Sequence, residues 1–237
     1  MKKMLSLALA LVLTLSLAVP TLAYGNMGKV GENNIVSGGT RYTGFIDENG
    51  ALWTWGDNEY GKLGNGSTKE SSTPVKVLDD NVAAVSCGDR HTAAIKTDGT
   101  LWTWGWNYYG QLGNGGGGNA TDEYNGPYQT VPVKVLDNVA AVNCGDHYTA
   151  AIKTDGTLWM WGANYSGALG NGTTTNSSVP VKVLDNVAAV SCGGSYTAAI
   201  KTDGTLWMWG ANYSGALGNG TTTNSSVPVK VLDNVAA

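Results

Sequence analysis

The sequence is poor in several residue types. It holds one phenylalanine, two histidines, three cysteines and six prolines in 237 residues, and only 14% of it is charged. No run of lysine and arginine forms a basic stripe, so nucleic acid is not the expected partner. The net charge of −4 and a pI near 5.0 suit an extracellular protein without selecting what it binds. Three is an odd number of cysteines, so they cannot all pair within the chain. Scarce charge together with nine tryptophans excludes a disordered chain. What is abundant is glycine, at 34 residues. Glycine costs ~1 kcal/mol per helical site, which excludes a helical bundle. It does not recur every third residue, which excludes collagen. A turn-rich all-β protein that buries indole rings remains.

Residues 1–23 read as a secretory signal peptide. Lys2 and Lys3 precede an apolar run over residues 5–19, and Thr21-Leu22-Ala23 supplies small residues for cleavage after Ala23. The expectation is therefore a secreted, extracellular or cell-surface protein, bacterial by the style of its leader. No later segment is long and apolar enough to span a membrane.

The rest of the chain is a tandem array. After a short N-terminal segment, residues 24–35, the repeats occupy residues 36–84, 85–141, 142–189 and 190–237. The last two differ only at Asn143/Ser191, Asp146/Gly194 and His147/Ser195. The period fits propeller blades rather than helical solenoid units. Each repeat reads as four strands. In the third repeat Val139-Ala140-Ala141-Val142 opens the first strand, and residues 148–153 form the second. Asp155-Gly156 reads as a two-residue hairpin turn, and Pro180 is expected at the entrance of the fourth strand. The third strand, Leu158-Trp159-Met160-Trp161, is apolar on both faces. Only a sheet packed between two others buries both faces, and a ring of blades provides that.

In the second repeat, Cys87, Gly88, His91, Thr92, Asp98, Gly99, Leu101, Trp104, Gly105, Asn107, Gly110, Leu112 and Gly113 form a spaced pattern that recurs along the chain. The pattern resembles the repeat of the regulator of chromosome condensation family. Repeat one departs from it at Gly38 and Asn49. The resemblance implies a β-propeller, usually of seven blades, so four four-stranded antiparallel blades would form an incomplete arc. On that expectation the chain is a fragment of a longer protein, or open blade faces self-associate. Protein binding is the commonest activity that the resemblance implies.

Residues capable of chemistry read mostly as structural. Cys87, Cys144 and Cys192 fall at one equivalent position and point the same way, so they are expected as buried free thiols. His91 stands where other repeats carry tyrosine, and is expected to pack and hydrogen-bond. His147 reads as an exposed loop residue. Asp98, Asp155 and Asp203 are turn residues. No metal, cofactor or catalytic residue is expected.

Attention then falls on where the repeats differ. The second carries an insertion between Gly115 and Thr130, holding Asp122, Glu123, Tyr124 and Tyr128. It also carries Trp106 and Tyr109, flanking Tyr108. Trp and Tyr are the usual anchors of interfaces, and loops on a rigid scaffold carry function. These seven residues are the candidate partner-binding site. The leading expectation is a secreted non-enzymatic scaffold recognising a protein or surface glycan. The alternatives are a carbohydrate or cell-wall binding module, an inhibitor of a secreted enzyme such as a β-lactamase, and a fragment of a propeller hydrolase or lyase.

Overall fold

A computed structural model describes residues 28–29, 35–123 and 125–235. The expected signal peptide, most of the N-terminal segment and Tyr124 lie outside the described residues. Among the described residues no helix is long and apolar enough to cross a membrane.

The chain folds into four consecutive antiparallel sheets, each a meander of strands in sequence order. The first blade uses Val36–Gly39, Tyr42–Ile46, Leu52–Gly56 and Ser71–Leu78. The second uses Val82–Cys87, His91–Lys96, Leu101–Trp106 and Gly126–Leu136, with a short fifth strand, Ala120–Asp122, on its outer edge. The third uses Val139–Cys144, Tyr148–Lys153, Leu158–Gly162 and Ser177–Leu184. The fourth uses Val187–Cys192, Tyr196–Lys201, Leu206–Gly210 and Ser225–Leu232. Gly28–Lys29 pairs antiparallel with Val187–Cys192 of that last blade. The first strands of all four blades line one shared cavity, which marks the axis of the arc.

Two turn features differ from expectation. The Asp-Gly turn holds three residues, because Lys96 N–H donates to Thr100 and Gly99 N–H donates to Lys96. Only Gly99 has a positive φ, +79°, whereas a two-residue type I′ turn needs two. Asp98 keeps its turn role: its carboxylate accepts from the Thr100 N–H and hydroxyl at 2.9 and 2.7 Å. These bonds hold its carboxyl below the ordinary range. Pro180 lies inside the fourth strand rather than at its entrance. The ladder is irregular between Met160 and Gly162, so the missing N–H falls where pairing is already broken.

The cores lie between blades. Tyr42, Ile46, Leu52 and Leu63 of the first blade pack against Val85, Cys87, Ala94 and Trp104 of the second. Equivalent residues form the next two interfaces, centred on Trp161 and Trp209. Each interface repeats one bonding scheme. The carbonyl of Lys62 accepts from the Trp104 indole at 2.9 Å and the Thr92 hydroxyl at 2.7 Å, both on the next blade. The Gln111 carbonyl receives Trp161 and Thr149, and the Ala168 carbonyl receives Trp209 and Thr197. The indole comes so close that a Cβ on Gly64, Gly113 or Gly170 would lie 2.6–2.7 Å from its nitrogen. The glycine of the Leu-Gly pair therefore makes room for the neighbouring blade.

The thiols belong to this scheme too. The Cys87 and Cys144 N–H groups donate to the Ser37 and Ser86 hydroxyls of the preceding blades, each at 2.9 Å. All three cysteines are free, Cys87 and Cys144 fully covered and Cys192 less so. Burial pushes the Cys87 and Cys144 thiols up to about 12, which leaves almost no thiolate at neutral pH. Iodoacetamide is expected to label Cys192 at most in the native protein and all three after denaturation. Native labelling of Cys87, read by mass spectrometry, would contradict this packing.

Candidate functional site

Strand register puts two kinds of connection at one end of every blade. His91 pairs with Gly105 and Cys87 with Thr92, so the Gly88–Arg90 turn and the loop after Trp106 share an upper face. The Asp-Gly hairpins occupy the lower face.

The upper loops are held by one buried asparagine each. The Asn164 amide donates to Asn171 and to the Thr173 and Thr175 carbonyls, while its oxygen accepts from Leu169 N–H at 2.9 Å. Asn58, Asn107 and Asn212 do the same in their blades. The Asn-x-x-Gly-x-Leu-Gly motif is therefore a loop frame. What it presents is the residue after asparagine: Tyr108, Tyr165 and Tyr213, 54, 64 and 76% exposed.

On this frame an aromatic cluster crosses three blades. Trp106 stacks with Tyr60 of the first blade at 5.7 Å and with Tyr108 at 5.8 Å. It meets Tyr109 edge-on at 5.1 Å and His147 of the third blade at 5.3 Å. Tyr109 continues the chain of rings to Tyr165 at 5.4 Å. The Arg90 guanidinium lies over Trp106 and Tyr60, at 5.1 and 5.5 Å, and contacts the Asp89 carboxylate at 3.4 Å. A cavity of about 400 Å³ opens among Asp89, Arg90, Trp106, Tyr108, Tyr109, Asn125 and His147. A larger depression of about 610 Å³ on the first blade is lined by Arg41, Asp57, Lys69, Glu70 and small residues, without an aromatic ring. Aromatic anchors and a guanidinium make the first the better candidate for a recognition site.

The seven candidates have different positions here. Tyr108 is exposed and Tyr109 half-buried, and both belong to the cluster. Trp106 is only 6% exposed; it supports the other rings, its indole N–H donating to the Asn125 carbonyl at 2.7 Å. Tyr128 pairs with Trp106 across the sheet and touches Tyr60 at 5.9 Å. The Asp122 carboxylate accepts from both Asn125 nitrogens and so closes the hairpin that the insertion forms. Glu123 is exposed at its tip, and Tyr124 is outside the described residues. The hairpin is a rim rather than a free loop.

His147 is not the exposed loop residue expected. Its ring is half-buried against Trp106 and Tyr109, because a blade without an equivalent tryptophan leaves that position open. His91 matches its expected role: fully buried, its Nε2 bonds the Thr149 hydroxyl at 2.9 Å. Tyr60, Arg90 and Tyr165 were not anticipated. Tyr165 recurs between repeats and so looks structural; Tyr60 approaches through blade-to-blade packing, whereas Arg90 is set beside Trp106 within the second blade, where the Trp106 N–H donates to the Arg90 carbonyl at 2.9 Å. Among the described residues no three His, Cys, Asp or Glu side chains group as metal ligands.

The stacked four-stranded blades and their shared axis define a β-propeller of regulator-type repeats. The chain belongs to the RCC1-like domain family, whose model matches residues 16–237. It is 30% identical over 165 residues to the human E3 ubiquitin-protein ligase HERC2, covering 68% of this chain and 3% of that protein. Among solved structures it resembles human WBSCR16, with 27% identity, a TM-score of 0.71, and coverage of 86% of this chain and 53% of that one. Prp20p of Saccharomyces cerevisiae superposes with a TM-score of 0.71 at 22% identity, over 91% of this chain and 52% of that one. The chain thus spans about half of these solved propellers and a small part of the curated relative.

Proposed function

We propose that the protein is a secreted, non-enzymatic scaffold that recognises a partner protein through its upper face. The observation that carries this reading is the ring cluster from Tyr60 through Trp106 and Tyr109 to Tyr165, with Arg90 laid across it. A rigid array of Trp, Tyr and Arg is what interface hot spots use. The Cys87 and Cys144 thiols and His91 are buried, and Asp98, Asp155 and Asp203 close turns. Prp20p is described with binding properties to Gsp1p and histones. That likeness is one of fold, and it supports only the idea that such blades can present protein-binding loops. The leader-like residues 1–23 support an extracellular setting.

Tyr108 and Tyr165 are the rings to change, because both are exposed and Trp106 is not. The double variant Tyr108→Ala/Tyr165→Ala should retain native circular dichroism and capture at least ~10-fold less of its main protein partner from an extracellular fraction, about 1.4 kcal/mol or more. A lower-face Asp98→Ala variant should capture as much as the wild type. Equal capture by the double variant, or material that a glycosidase rather than a protease removes, would count against the reading.

A further inference from the structure

The upper face carries a charge pattern that the lower face lacks. In the second and third blades its turns and loops hold Asp89, Asp122, Glu123 and Asp146 against one arginine, Arg90, and no lysine. Glu59 of the first blade adds an exposed carboxylate beside Tyr60. Asp89 lines the aromatic cavity and also the axial one, which it shares with Asp146. Glu123 and Asp146 are exposed, whereas Asp89 and Asp122 are half-buried. The same two blades are balanced below. Lys134 and Lys182 pair with Asp137 and Asp185 at 2.6 Å, and Asp98 and Asp155 have Lys96 and Lys153 as charge neighbours. The upper carboxylates lie beside junctions that the chain itself supplies, where Trp106 meets Tyr60 of the first blade and His147 of the third.

Arg90 does not cancel this pattern. Its guanidinium is laid over Trp106 and Tyr60, and the Asp89 carboxylate at 3.4 Å offsets its charge. Among the described residues Glu59, Glu123 and Asp146 form no ion pair. The rings open to a partner are Tyr108 and Tyr165, since Trp106 and Tyr60 are buried. Tyr108 packs on the hairpin that carries Asp122 and Glu123, where a Cβ on Gly126 would lie 2.9 Å from its ring. Open rings beside unpaired carboxylates suit lysine and arginine side chains, which stack on the rings and pair with the carboxylates. An acidic partner would meet like charge across most of the same surface.

We propose that the partner protein of the upper face presents a basic surface, its lysine or arginine side chains laid on Tyr108 and Tyr165 among the carboxylates of Glu59, Asp89, Glu123 and Asp146. The inference rests on the reading of the upper face as the recognition surface and adds the charge of what it recognises. Complementary charge also steers the encounter, so association is fast at low salt and slows as salt screens the exposed carboxylates.

Fluorescence anisotropy with short labelled peptides that alternate glycine with lysine, glutamate or serine tests the proposal on the purified chain. At roughly 20 mM salt the lysine peptide should bind at least ~10-fold more tightly than either of the others, and the difference should shrink at roughly 300 mM. The variant Glu59→Gln/Glu123→Gln/Asp146→Asn should weaken the lysine peptide by ~10-fold. Asp79→Asn/Asp137→Asn/Asp185→Asn removes the same charge from exposed lower-face positions and should leave its binding within ~2-fold of wild type. Equal binding of the lysine and glutamate peptides, or equal losses in the two charge variants, would overturn the proposal. The Tyr108→Ala/Tyr165→Ala variant separates this failure from that of the site. If it loses its captured protein while the three peptides bind alike, the upper face is a recognition surface and the basic partner is wrong. Undiminished capture by the tyrosine variant would remove the recognition surface, and the proposal with it.

Discussion

Trp161→Ala should lower stability by about 4 kcal/mol, the range for emptying a buried tryptophan site. The ring is fully covered at the centre of the interface between the second and third blades. Its removal also takes the indole donor from the Gln111 carbonyl, leaving the Thr149 hydroxyl as that oxygen's partner across the interface. For a chain of this size the melting temperature should fall by about 8–16 °C, at 2–4 °C per kcal/mol. Blades contact only their neighbours, so weakening one interface should also broaden the melt by uncoupling the two halves. Trp55→Ala is the control. The same residue type in the same strand position is half-buried and bonds no described carbonyl, so its loss should be far smaller. Equal losses at the two positions would mean that stability comes from within blades rather than between them.

The second large effect depends on pH. Thr149 spends its proton on the Gln111 carbonyl, so His91 must donate from Nε2, and its Nδ1 is left buried without a partner. Protonating Nδ1 would place a charge and an unmatched N–H in a dry interface, and burial drives the His91 pKa down to about 3. Below ~6.5 the unfolded chain takes up a proton that the folded chain refuses until about pH 3, so stability falls as pH drops through that window. At pH 4.5 the loss is about 3 kcal/mol. His91→Tyr should remove it, because tyrosine fills the equivalent place at Tyr42 and Tyr148 and bonds the next blade through its hydroxyl. The bonded carboxylates Asp47, Asp98, Asp155 and Asp203 have lowered pKa values, so their contribution fades only in stronger acid and is common to both proteins. Thermal melts at pH 7 and 4.5 should show the wild type losing on the order of 5–10 °C more than the variant. Equal losses would mean that His91 is hydrated.

Both effects come from repeated positions, and repetition decided what was legible beforehand. The blades were readable because four copies of a strand apolar on both faces admit few architectures. Trp159 and Trp161 share a face, and the neighbouring blade they imply is present. Turn length was not readable, because Asp-Gly serves a three-residue turn as well as a two-residue one and only φ separates them. Pro180 was misplaced because a bulge is set by register across the sheet, to which a single strand is blind.

The candidate site was half visible. Trp106 and Tyr109 stood out by being unrepeated, and both lie in the cluster. Tyr165 was hidden because it is repeated, yet it is exposed like its equivalents Tyr108 and Tyr213: a position that the blades share can lie on a presented loop rather than in the core. Arg90 and His147 were hidden differently. They come from turns preceding the second strands of two blades: Arg90 reaches Trp106 through strand pairing within the second blade, and His147 reaches it from the third blade.

The upper face is the proposed recognition surface. Hydrogen exchange of the protein with and without its captured partner tests it most directly. Protection concentrated in the Gly88–Arg90 turn and in the loops bearing Tyr60, Tyr108, Tyr109 and Tyr165, with the Asp98, Asp155 and Asp203 hairpins unchanged, is the predicted footprint. Protection confined to those lower hairpins would contradict it.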